Sequence, residues 1–471
     1  MNAAVVGSGP NGLAAAIRLA QAGVQVDVYE ASSLPGGGVT SAEWTLPGFL
    51  HDRCSAIYAM AVPSPFFRQL PLQAHGVEWV FPPVPLAHPL DNGDAVALER
   101  DLAATARGLE CDAGAYRRLF EPYVERWDAL IRAALRPMLT IPGHPFFLAG
   151  FGLRAFQPAS LLARTLFKTE RARALFAGVA AHSFLRLEQP LSSAFALMLM
   201  VAAHASGWPL VKGGSQSLTR ALVSILRESG GRVHTNSLVT SLDELGKPDV
   251  ICCDVTPRQF LALAGKRLPR GFRRKLDRYR YGPGVFKVDW ALRDPIPWRS
   301  PVCRFAGTVH LGGSFEEIAA SERAASGSTP SPKPFVILAQ PTLFDPTRAP
   351  EGKHIAWAYC HVPNGWAGSH LDALENQVER FAPGFRGCIL ARHTATAPEM
   401  EAMNPNLVGG DINGGLANLR QFVFRPTWWQ YNTPLPGVFL CSSSTPPGGG
   451  VHGMCGFHAA TRALRWLEHR A

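Results

Sequence analysis

Charged residues are scarce in this sequence, and its cysteines follow no recognisable pattern. Asp, Glu, Lys and Arg make up 17% of the 471 residues, against 47% hydrophobic residues. Such a chain can bury a large core, which excludes a disordered protein. The nine cysteines include no Cys-x-x-Cys pair and no Cys/His spacing suited to zinc. We therefore expect no dithiol redox chemistry, no metal site, and a reducing compartment.

Long apolar runs and leader patterns are also lacking. The longest apolar run, residues 194–203, is too short to cross a bilayer as a helix. No basic segment followed by an apolar stretch precedes the first strand-like residues, 3–6. We therefore expect a cytoplasmic protein in which any membrane contact is peripheral.

The excess of positive charge, formally +10, is concentrated in residues 266–280. No basic stripe interleaved with aromatics recurs along the chain, so a nucleic-acid partner is not expected. Phe272, Leu276 and Tyr279 fall at helical spacing in this segment, which predicts a short basic amphipathic helix. Two interpretations remain open: a solvated surface helix, or a peripheral contact with anionic lipid headgroups.

The most informative pattern lies in the first thirty residues. An apolar run is followed by Gly-x-Gly-x-x-Gly at residues 7–12, a helical stretch, a second apolar run and Glu30. The strand before, the helix after and the acid at the next strand tip together predict a dinucleotide site. Gly7 allows the tight turn, Gly9 lets a pyrophosphate approach, and Gly12 lets helix and strand pack closely. Glu30 is expected to accept hydrogen bonds from a ribose diol.

Strand and helix patterns alternate in a way that divides the chain into interleaved pieces. Residues from 103 to about 203 are mostly helical in pattern, and residues from about 283 to 400 alternate as an antiparallel sheet does. Strands are predicted at 232–235, 237–242, 248–253 and 438–441, with residues 254–257 capping the helix that follows the third of these. We predict a nucleotide-binding domain from residues 1–100, 206–265 and 405–471, and a substrate domain from 101–205 and 266–404.

Three glycine-rich segments resemble a known family. They are residues 5–13 with Glu30, residues 35–37, and residues 446–453, and they are similar to the FAD-dependent phytoene desaturase group of the amine oxidase superfamily. Residues 281–289 and 425–434 resemble the branch that includes pyridine nucleotide-disulfide oxidoreductase domain-containing protein 2. The resemblance implies an α/β fold with a discontinuous, amine-oxidase-like Rossmann-type FAD-binding domain and an α+β substrate domain with a mixed sheet and helical cap.

By this resemblance the cofactor is FAD in an extended pose. Its ADP half would lie on the first glycine loop, and its ribityl and flavin parts would reach the second and third loops. The residues that the resemblance implies for FAD binding are Gly7, Gly9, Pro10, Asn11, Gly12, Glu30, Ala31, Gly36, Gly37, Gly38, Val39, Thr40, Val239, Gly449, Gly450, Val451, His452, Gly453 and Met454.

One departure separates the chain from the amine oxidases, which usually carry an arginine directly after the second glycine pair. Gly38 stands at that position, which favours the desaturase-like branch. The first expectation is an FAD-dependent dehydrogenase or desaturase for an apolar, isoprenoid, carotenoid-like or lipid substrate, passing electrons to quinone or oxygen. The alternatives are an FAD amine oxidase that releases hydrogen peroxide, and a non-catalytic partner-binding protein of the same fold. The oligomeric state is not predicted.

No acid–base pair stands out in the sequence, as is expected when a flavin carries the chemistry. His452 in the third loop is a catalytic candidate, with packing as the alternative. Lys287 is a second candidate, for which an ordinary strand-edge lysine is the alternative. Trp428, Trp429 and Tyr431 are expected either to wall a pocket or to lie in the core.

Overall fold

The computed structural model describes residues 1–137 and 143–469 of the chain. The strands are β1 (Asn2–Val6), β2 (Gln25–Tyr29), β3 (Ser41–Glu43), β4 (Leu50–Asp52), β5 (Trp79–Val80), β6 (Val84–Pro89), β7 (Ala95–Leu98), β8 (Leu210–Val211), β9 (Arg232–His234), β10 (Val250–Cys253), β11 (Gly284–Leu292), β12 (Ala306–Leu311), β13 (Val336–Ala339), β14 (His354–Val362), β15 (Ile389–Ala395) and β16 (Val438–Leu440). The helices are α1 (Pro10–Ala20), α2 (Leu102–Gly108), α3 (Ala113–Glu125), α4 (Trp127–Ala134), α5 (Pro145–Ala155), α6 (Ala159–Leu166), α7 (Glu170–Ala180), α8 (Ser192–Ala205), α9 (Ser215–Glu228), α10 (Pro257–Ala264), α11 (Arg270–Asp277), α12 (Phe315–Ala325), α13 (Leu371–Phe381), α14 (Phe385–Cys388), α15 (Ala397–Met403), α16 (Leu419–Val423) and α17 (Met454–Glu468).

A five-stranded parallel sheet has the strand order β16-β10-β1-β2-β9. After β1 the chain continues to β2 on one side, and β10 lies on the other side. A crevice for a ligand forms at such a switch point, outside the carboxyl ends of the strands. The predicted Rossmann-type arrangement is confirmed. The strand predicted at 237–242 is wrong, since β9 ends at His234 and a short 3-10 helix occupies Leu242–Leu245.

Small residues hold the first and last helices together. A Cβ added to Gly456 of α17 would lie 1.8 Å from the backbone oxygen of Asn11. A Cβ added to Gly12 would lie 2.1 Å from the backbone oxygen of Gly7. Only glycine fits at such distances, so α1 is fixed both against its own loop and against α17. The two ends of the chain therefore form one unit beneath the parallel sheet.

The second sheet has seven strands in the order β15-β11-β14-β13-β12-β6-β7. In the described chain its neighbours run antiparallel except for β12 and β6, which run parallel. This is the mixed sheet that the resemblance implies. Strands β6 and β7 precede residue 100, where the sequence places nucleotide-binding residues, yet they belong to this sheet. The two sheets therefore do not divide at residue 100.

Helices α2 to α8 form a layer next to the second sheet, as the helical pattern predicts. Residues of α7 and α8 are mostly buried, whereas α5 leaves large apolar side chains exposed: Phe146 is 92% and Leu153 is 74% accessible. Within residues 1–137 and 143–469, no single helix has both the length and the apolar character needed to cross a bilayer. Helices α5 and α6, which meet at 99°, reach that length and composition only as a bent pair.

The basic segment contains the predicted amphipathic helix as α11. Phe272 and Leu276 are buried against the parallel-sheet unit, while Arg273 and Arg274 are exposed. The ring of Phe272 lies 5.8 Å from that of Trp429, centre to centre. Helix α11 therefore presents its cationic face to solvent beside an exposed tryptophan.

Candidate functional site

A cavity of about 690 Å³ lies between the carboxyl edge of the parallel sheet and one face of the second sheet. Its volume is within the range of small-molecule sites. The wall contains both ends of the chain, since Gly9 and Gly450 line it together. Of the sequence-predicted site residues, the lining includes Gly7, Gly9, Pro10, Asn11, Glu30, Ala31, Gly37, Gly38, Val39, Thr40, Val239, Gly450 and Val451.

The first glycine loop is tied to the tip of β2 through Glu30. Gly7 has a φ of +95°, a backbone conformation that glycine adopts readily. The amide and the hydroxyl of Ser8 donate to Glu30 Oε2 at 3.0 and 2.5 Å, and the amide of Ser32 donates to Oε1 at 2.9 Å. These bonds fix the carboxylate at the cavity wall, and its oxygens retain further acceptor capacity.

Asp254 lines the cavity, whereas the sequence reasoning assigned it to the segment that caps the next helix. Its Oδ2 accepts a 2.8 Å hydrogen bond from the amide of Gly12, and burial, with the nearby charge of Glu30, raises its pKa to about 7. The next helix begins at Pro257 with Thr256 as the N-cap residue, so the capping segment predicted at residues 254–257 is confirmed, while Asp254 itself is not the N-cap residue. The available signal was its position after buried β10, because carboxyl ends of neighbouring parallel strands share an edge.

The second glycine loop packs directly on the first. A Cβ on Gly37 would lie 3.2 Å from the Cα of Gly9, and the amide of Gly36 donates to the hydroxyl of Ser8 at 3.2 Å. Thr219 of α9 donates to the backbone oxygen of Val39 at 2.6 Å. Gly36 itself is buried behind the lining. The loop thus continues the cavity from the nucleotide end towards the second sheet.

Of the residues predicted in the third glycine loop, 449–454, the cavity lining includes Gly450 and Val451. Gly449, His452, Gly453 and Met454 do not line the cavity, and neither does Gly12. His452 is 1% exposed, and its Nδ1 accepts a 3.0 Å hydrogen bond from the amide of Met454. Burial lowers the pKa of His452 to about 4, so the ring is neutral at physiological pH. This placement fits a packing role at the start of α17.

Lys287 lies on the cavity side of the second sheet. Strand β11 runs between β15 and β14, so the strand-edge interpretation is wrong. The side chain is 2% exposed, and its Nζ is 2.5 Å from Oδ1 of Asp289. Nζ also lies 5.8 Å from the ring centre of Trp357, which lines the cavity. The ammonium group of Lys287 is therefore paired with the buried carboxylate of Asp289, and it lies next to Trp357, a residue of the cavity lining.

Strand register shows which side chains share this face. Lys287 pairs with Tyr359, Tyr359 with Ile337, and Ile337 with His310 on successive strands. Since side chains alternate along a strand, Thr308 and Trp357 lie on the same face. Thr308, Ile337, Trp357 and Tyr359 line the cavity, joined by His182, Leu199 and Trp208 from the helical layer. We call this group the far wall.

The aromatic residues that the sequence offered for a pocket wall lie outside the cavity lining. Trp428 and Trp429 are 60% and 44% exposed. Tyr431 is fully buried, and its hydroxyl donates to the backbone oxygen of Pro446 at 2.8 Å, so the core interpretation applies to it. The sequence reasoning also missed lining residues in loops without a local pattern, which are Ser8, Arg53, Cys54, Ser55, residues 403–407 and residues 412–414.

Four lining residues carry a buried polar atom without a hydrogen-bond partner among the described residues: Asn11, Arg53, Thr308 and Trp357. The first two test whether a nucleotide fits. Asn11 Oδ1 and Arg53 Nε have no hydrogen-bond partner within residues 1–137 and 143–469. Buried polar groups are almost always paired, so both call for a ligand that can donate and accept. A dinucleotide has hydroxyls, phosphates and ring atoms for these roles. The residues present, with the open cleft between the glycine loops, fit FAD.

Comparison with known proteins agrees with this geometry. Residues 5–70 match the family model described as NAD(P)-binding Rossmann-like domain. The chain is 27% identical to mouse pyridine nucleotide-disulfide oxidoreductase domain-containing protein 2, covering 99% of this chain and 94% of that one. It is 28% identical to hydroxyneurosporene desaturase of Cereibacter sphaeroides, covering 99% and 98%.

The fold also matches a solved structure. Putrescine oxidase bound to putrescine superposes with a TM-score of 0.61 at 17% identity, covering 99% of both chains. At this identity the match concerns the fold alone, and it confirms the amine-oxidase-like architecture that the resemblance implied. Over nearly its whole length the chain is similar to oxidoreductases, among them a carotenoid-type desaturase, and these relatives support an oxidoreductase.

Proposed function

We propose that the protein is an FAD-dependent dehydrogenase or desaturase acting on an apolar substrate of the isoprenoid, carotenoid-like or lipid class. The observation that carries this proposal is one continuous cavity that joins the first glycine loop and Glu30 to the far wall. A cofactor held at one end can thus meet a substrate held at the other. FAD, when bound, supplies the acceptor for a hydride.

The chain's own residues would hold the cofactor along the cavity. The amides at the start of α1 and the fixed carboxylate of Glu30 suit the pyrophosphate and the ribose diol. Arg53, with a buried unpartnered Nε, and Asn11 are available for hydrogen bonds to it. Val239 lines the cavity beside the nucleotide end, as a contact to adenine requires.

The far wall supports an apolar substrate. It consists mainly of Leu199, Trp208, Ile337, Trp357 and Tyr359, which bind by excluding water rather than by pairing charge. Hydroxyneurosporene desaturase, to which the chain is 28% identical, is named for a carotenoid substrate. This relative favours an isoprenoid as the substrate of this chain. Quinone or oxygen is proposed as the electron acceptor.

The second candidate is an FAD amine oxidase, favoured by the fold match to putrescine oxidase. A cationic amine is bound by an aromatic cage, for which the stacked rings of Trp357 and Tyr359 on the far wall are available, or by a carboxylate. Among the described lining residues the carboxylates are Glu30 and Asp254, and both lie at the nucleotide end. Gly38 in place of the arginine of amine oxidases also argues for the desaturase.

We further propose that the protein is cytoplasmic and contacts membranes peripherally. Support for a reducing compartment comes from the sequence, whose nine cysteines follow no disulfide-framework spacing. A surface that we call the aromatic patch comprises exposed apolar side chains of α5, of α16 and of the segment after it: Phe146, Leu153, Phe156, Leu419, Phe424, Trp428 and Trp429. Ring contacts between Phe156 and Phe422, at 5.9 Å, and between Trp429 and Phe272 connect the patch to cationic α11. Apolar side chains beside cations suit an anionic lipid surface.

The function is tested by mixing flavin-loaded protein anaerobically with separate isoprenoid, lipid and amine fractions. Bleaching of the flavin absorbance by an apolar fraction supports the proposal, and bleaching by the amine fraction alone overturns it. Glu30→Ala should lower flavin content, because the ribose diol loses its acceptor. Glu125→Ala, an exposed carboxylate on α3 outside the cavity lining, is the matched control and should retain flavin.

A further inference from the structure

Two histidines are in contact at the far wall: His182, which belongs to it, and His310 of the second sheet. His182 lies in the 3-10 helix Ala181–Ser183 and lines the cavity, and its Nε2 is 3.0 Å from Nε2 of His310 on β12. Two ring nitrogens at this distance share one proton, so one ring donates and the other accepts. His182 is half-buried, with access to the cavity, whereas His310 is fully buried. The pair thus connects the substrate end of the cavity to the second sheet.

Among the described residues, neither of the other two ring nitrogens makes a hydrogen bond that would fix the tautomer of the pair. Nδ1 of His182 makes no hydrogen bond within the described ranges 1–137 and 143–469, and Nδ1 of His310 is buried without a partner there. Gly178 of α7 packs against Nδ1 of His310: a Cβ added to Gly178 would lie 2.9 Å from that nitrogen. If His182 donates through Nε2, its Nδ1 keeps a free lone pair at the cavity. That tautomer makes His182 a proton acceptor.

We propose that His182 accepts the substrate proton through Nδ1, with His310 as the positioning residue that accepts from His182 Nε2. The inference rests on the proposed function. In the two-electron dehydrogenation, the substrate loses one hydrogen as a hydride, for which FAD, when bound, would supply the acceptor. The adjacent carbon loses its hydrogen as a proton to His182, and the electrons of that C–H bond form the new double bond.

Neighbouring groups keep the pair uncharged before the reaction. Burial, together with the charge that His361 can carry, lowers the pKa of His182 to about 3, and burial lowers that of His310 well below its ordinary value. A weak base suffices, because a carbon next to a centre that has lost hydride is strongly acidic. When His182 gains the proton, His310 still accepts its Nε2–H, so the new cation remains hydrogen-bonded.

Other polar groups near the far wall suit this role less. Burial raises the pKa of the Tyr359 phenol above its ordinary value, so it stays protonated. The hydroxyl of Thr308 is a far poorer base than an imidazole. His361 is held by the carboxylate of Glu322, with Nδ1 to Oε2 at 2.8 Å, and His88 Nε2 donates to the backbone oxygen of Gly313 at 2.8 Å. Among the described lining residues of the far wall, His182 is the imidazole that reaches the cavity.

The kinetic test uses flavin-loaded protein and the apolar fraction that bleaches the wild type. His182→Ala should keep its flavin and be reduced by dithionite normally, but should be reduced by substrate about 10²-fold or more slowly. Added imidazoles should restore the rate, more strongly as their basicity rises. His310→Asn should lower the rate less, and His469→Ala, exposed after α17, should change nothing. An unchanged rate in His182→Ala, or a lost rate that no imidazole restores, overturns the proposal.

A second readout needs neither substrate nor flavin. Ring ¹⁵N shifts of histidine-labelled protein report which nitrogen of each neutral imidazole carries the proton. We expect His182 protonated at Nε2, and His310→Asn should change its shifts. Protonation at Nδ1 of neutral His182 would overturn the assignment. If no apolar fraction bleaches the wild type, the proposed function fails, whereas the tautomer result stands by itself.

Discussion

The amide of Gly12 donates a 2.8 Å hydrogen bond to the carboxylate of Asp254, 242 residues further along the chain. The bond joins the start of α1 to the carboxyl end of β10, across the switch point of the parallel sheet. It also uses one of the amides that the sequence reasoning left free for phosphate. The carboxyl group is buried there, and its pKa of about 7 means that it is largely protonated below neutral pH.

Stability should depend on pH through Asp254. The folded protein keeps this proton up to about pH 7, while the unfolded chain loses it near the ordinary value of 3.8. The free energy of unfolding therefore falls as pH rises between these values, and this loss is complete above pH 7. Asp254→Asn removes the titration and retains an acceptor for Gly12. At pH 8 the flavin-free variant should melt about 2 °C or more above the wild type, and at pH 4 the two should agree. A lower melting point for the variant at pH 8 would contradict this account.

The contact between α1 and α17 should tolerate no side chain at Gly456. Gly456→Ala places a methyl group against the Asn11 backbone oxygen, and such overpacking costs about 1–3 kcal/mol. We expect a lower melting temperature and loss of flavin during gel filtration. Gly108→Ala at the end of α2 is the matched control, because an added Cβ meets no atom within 4 Å in the described structure. Equal melting temperatures for the two variants would show that the close approach does not matter.

Lys287 and Asp289 should matter to stability as a pair. Lys287→Met leaves the carboxylate buried without its partner, which costs about 3–5 kcal/mol. Adding Asp289→Asn removes the stranded charge and should restore most of the stability in chemical unfolding. Flavin reduction by substrate in the double variant then tests the catalytic prediction for Lys287 separately from folding. A double variant no more stable than Lys287→Met would rule out the ion-pair explanation.

Membrane contact should depend on both the aromatic patch and α11. Reversing the charge of Arg273, Arg274 and Arg278 should weaken sedimentation with anionic vesicles at least about tenfold, since each cation near such a surface contributes about 1 kcal/mol. The double variant Phe146→Ser, Leu153→Ser should weaken binding to neutral vesicles as well, because it removes apolar side chains of the aromatic patch. Phe305→Ser, which removes an exposed aromatic outside the patch, is the control. Binding that survives all of these changes would refute the proposed surface.

The nucleotide end of the site could be predicted from sequence because its signals are local. The first strand is followed by Gly7 and Gly9, and the second strand by Glu30, all within thirty residues. Their spacing alone implies the tight turn and the acidic residue at the strand tip. The basic helix was predictable for the same reason, since Phe272 and Leu276 repeat at helical spacing. The strand-edge reading of Lys287 was wrong because sheet order is not a local property. Four residues of apolar alternation look the same in a central strand as at an edge.

By itself the sequence determined the glycine-rich turn at residues 7–12 between a strand and a helix, with Glu30 at the tip of the next strand, because periodicity and glycine spacing act over a few turns of chain. The tertiary structure decided that Asp254 meets Gly12, that His182 meets His310, and that both ends of the chain wall one cavity. Each of these contacts joins residues that are more than a hundred positions apart. Their formation depends on how sheets and helices pack, which no single segment specifies.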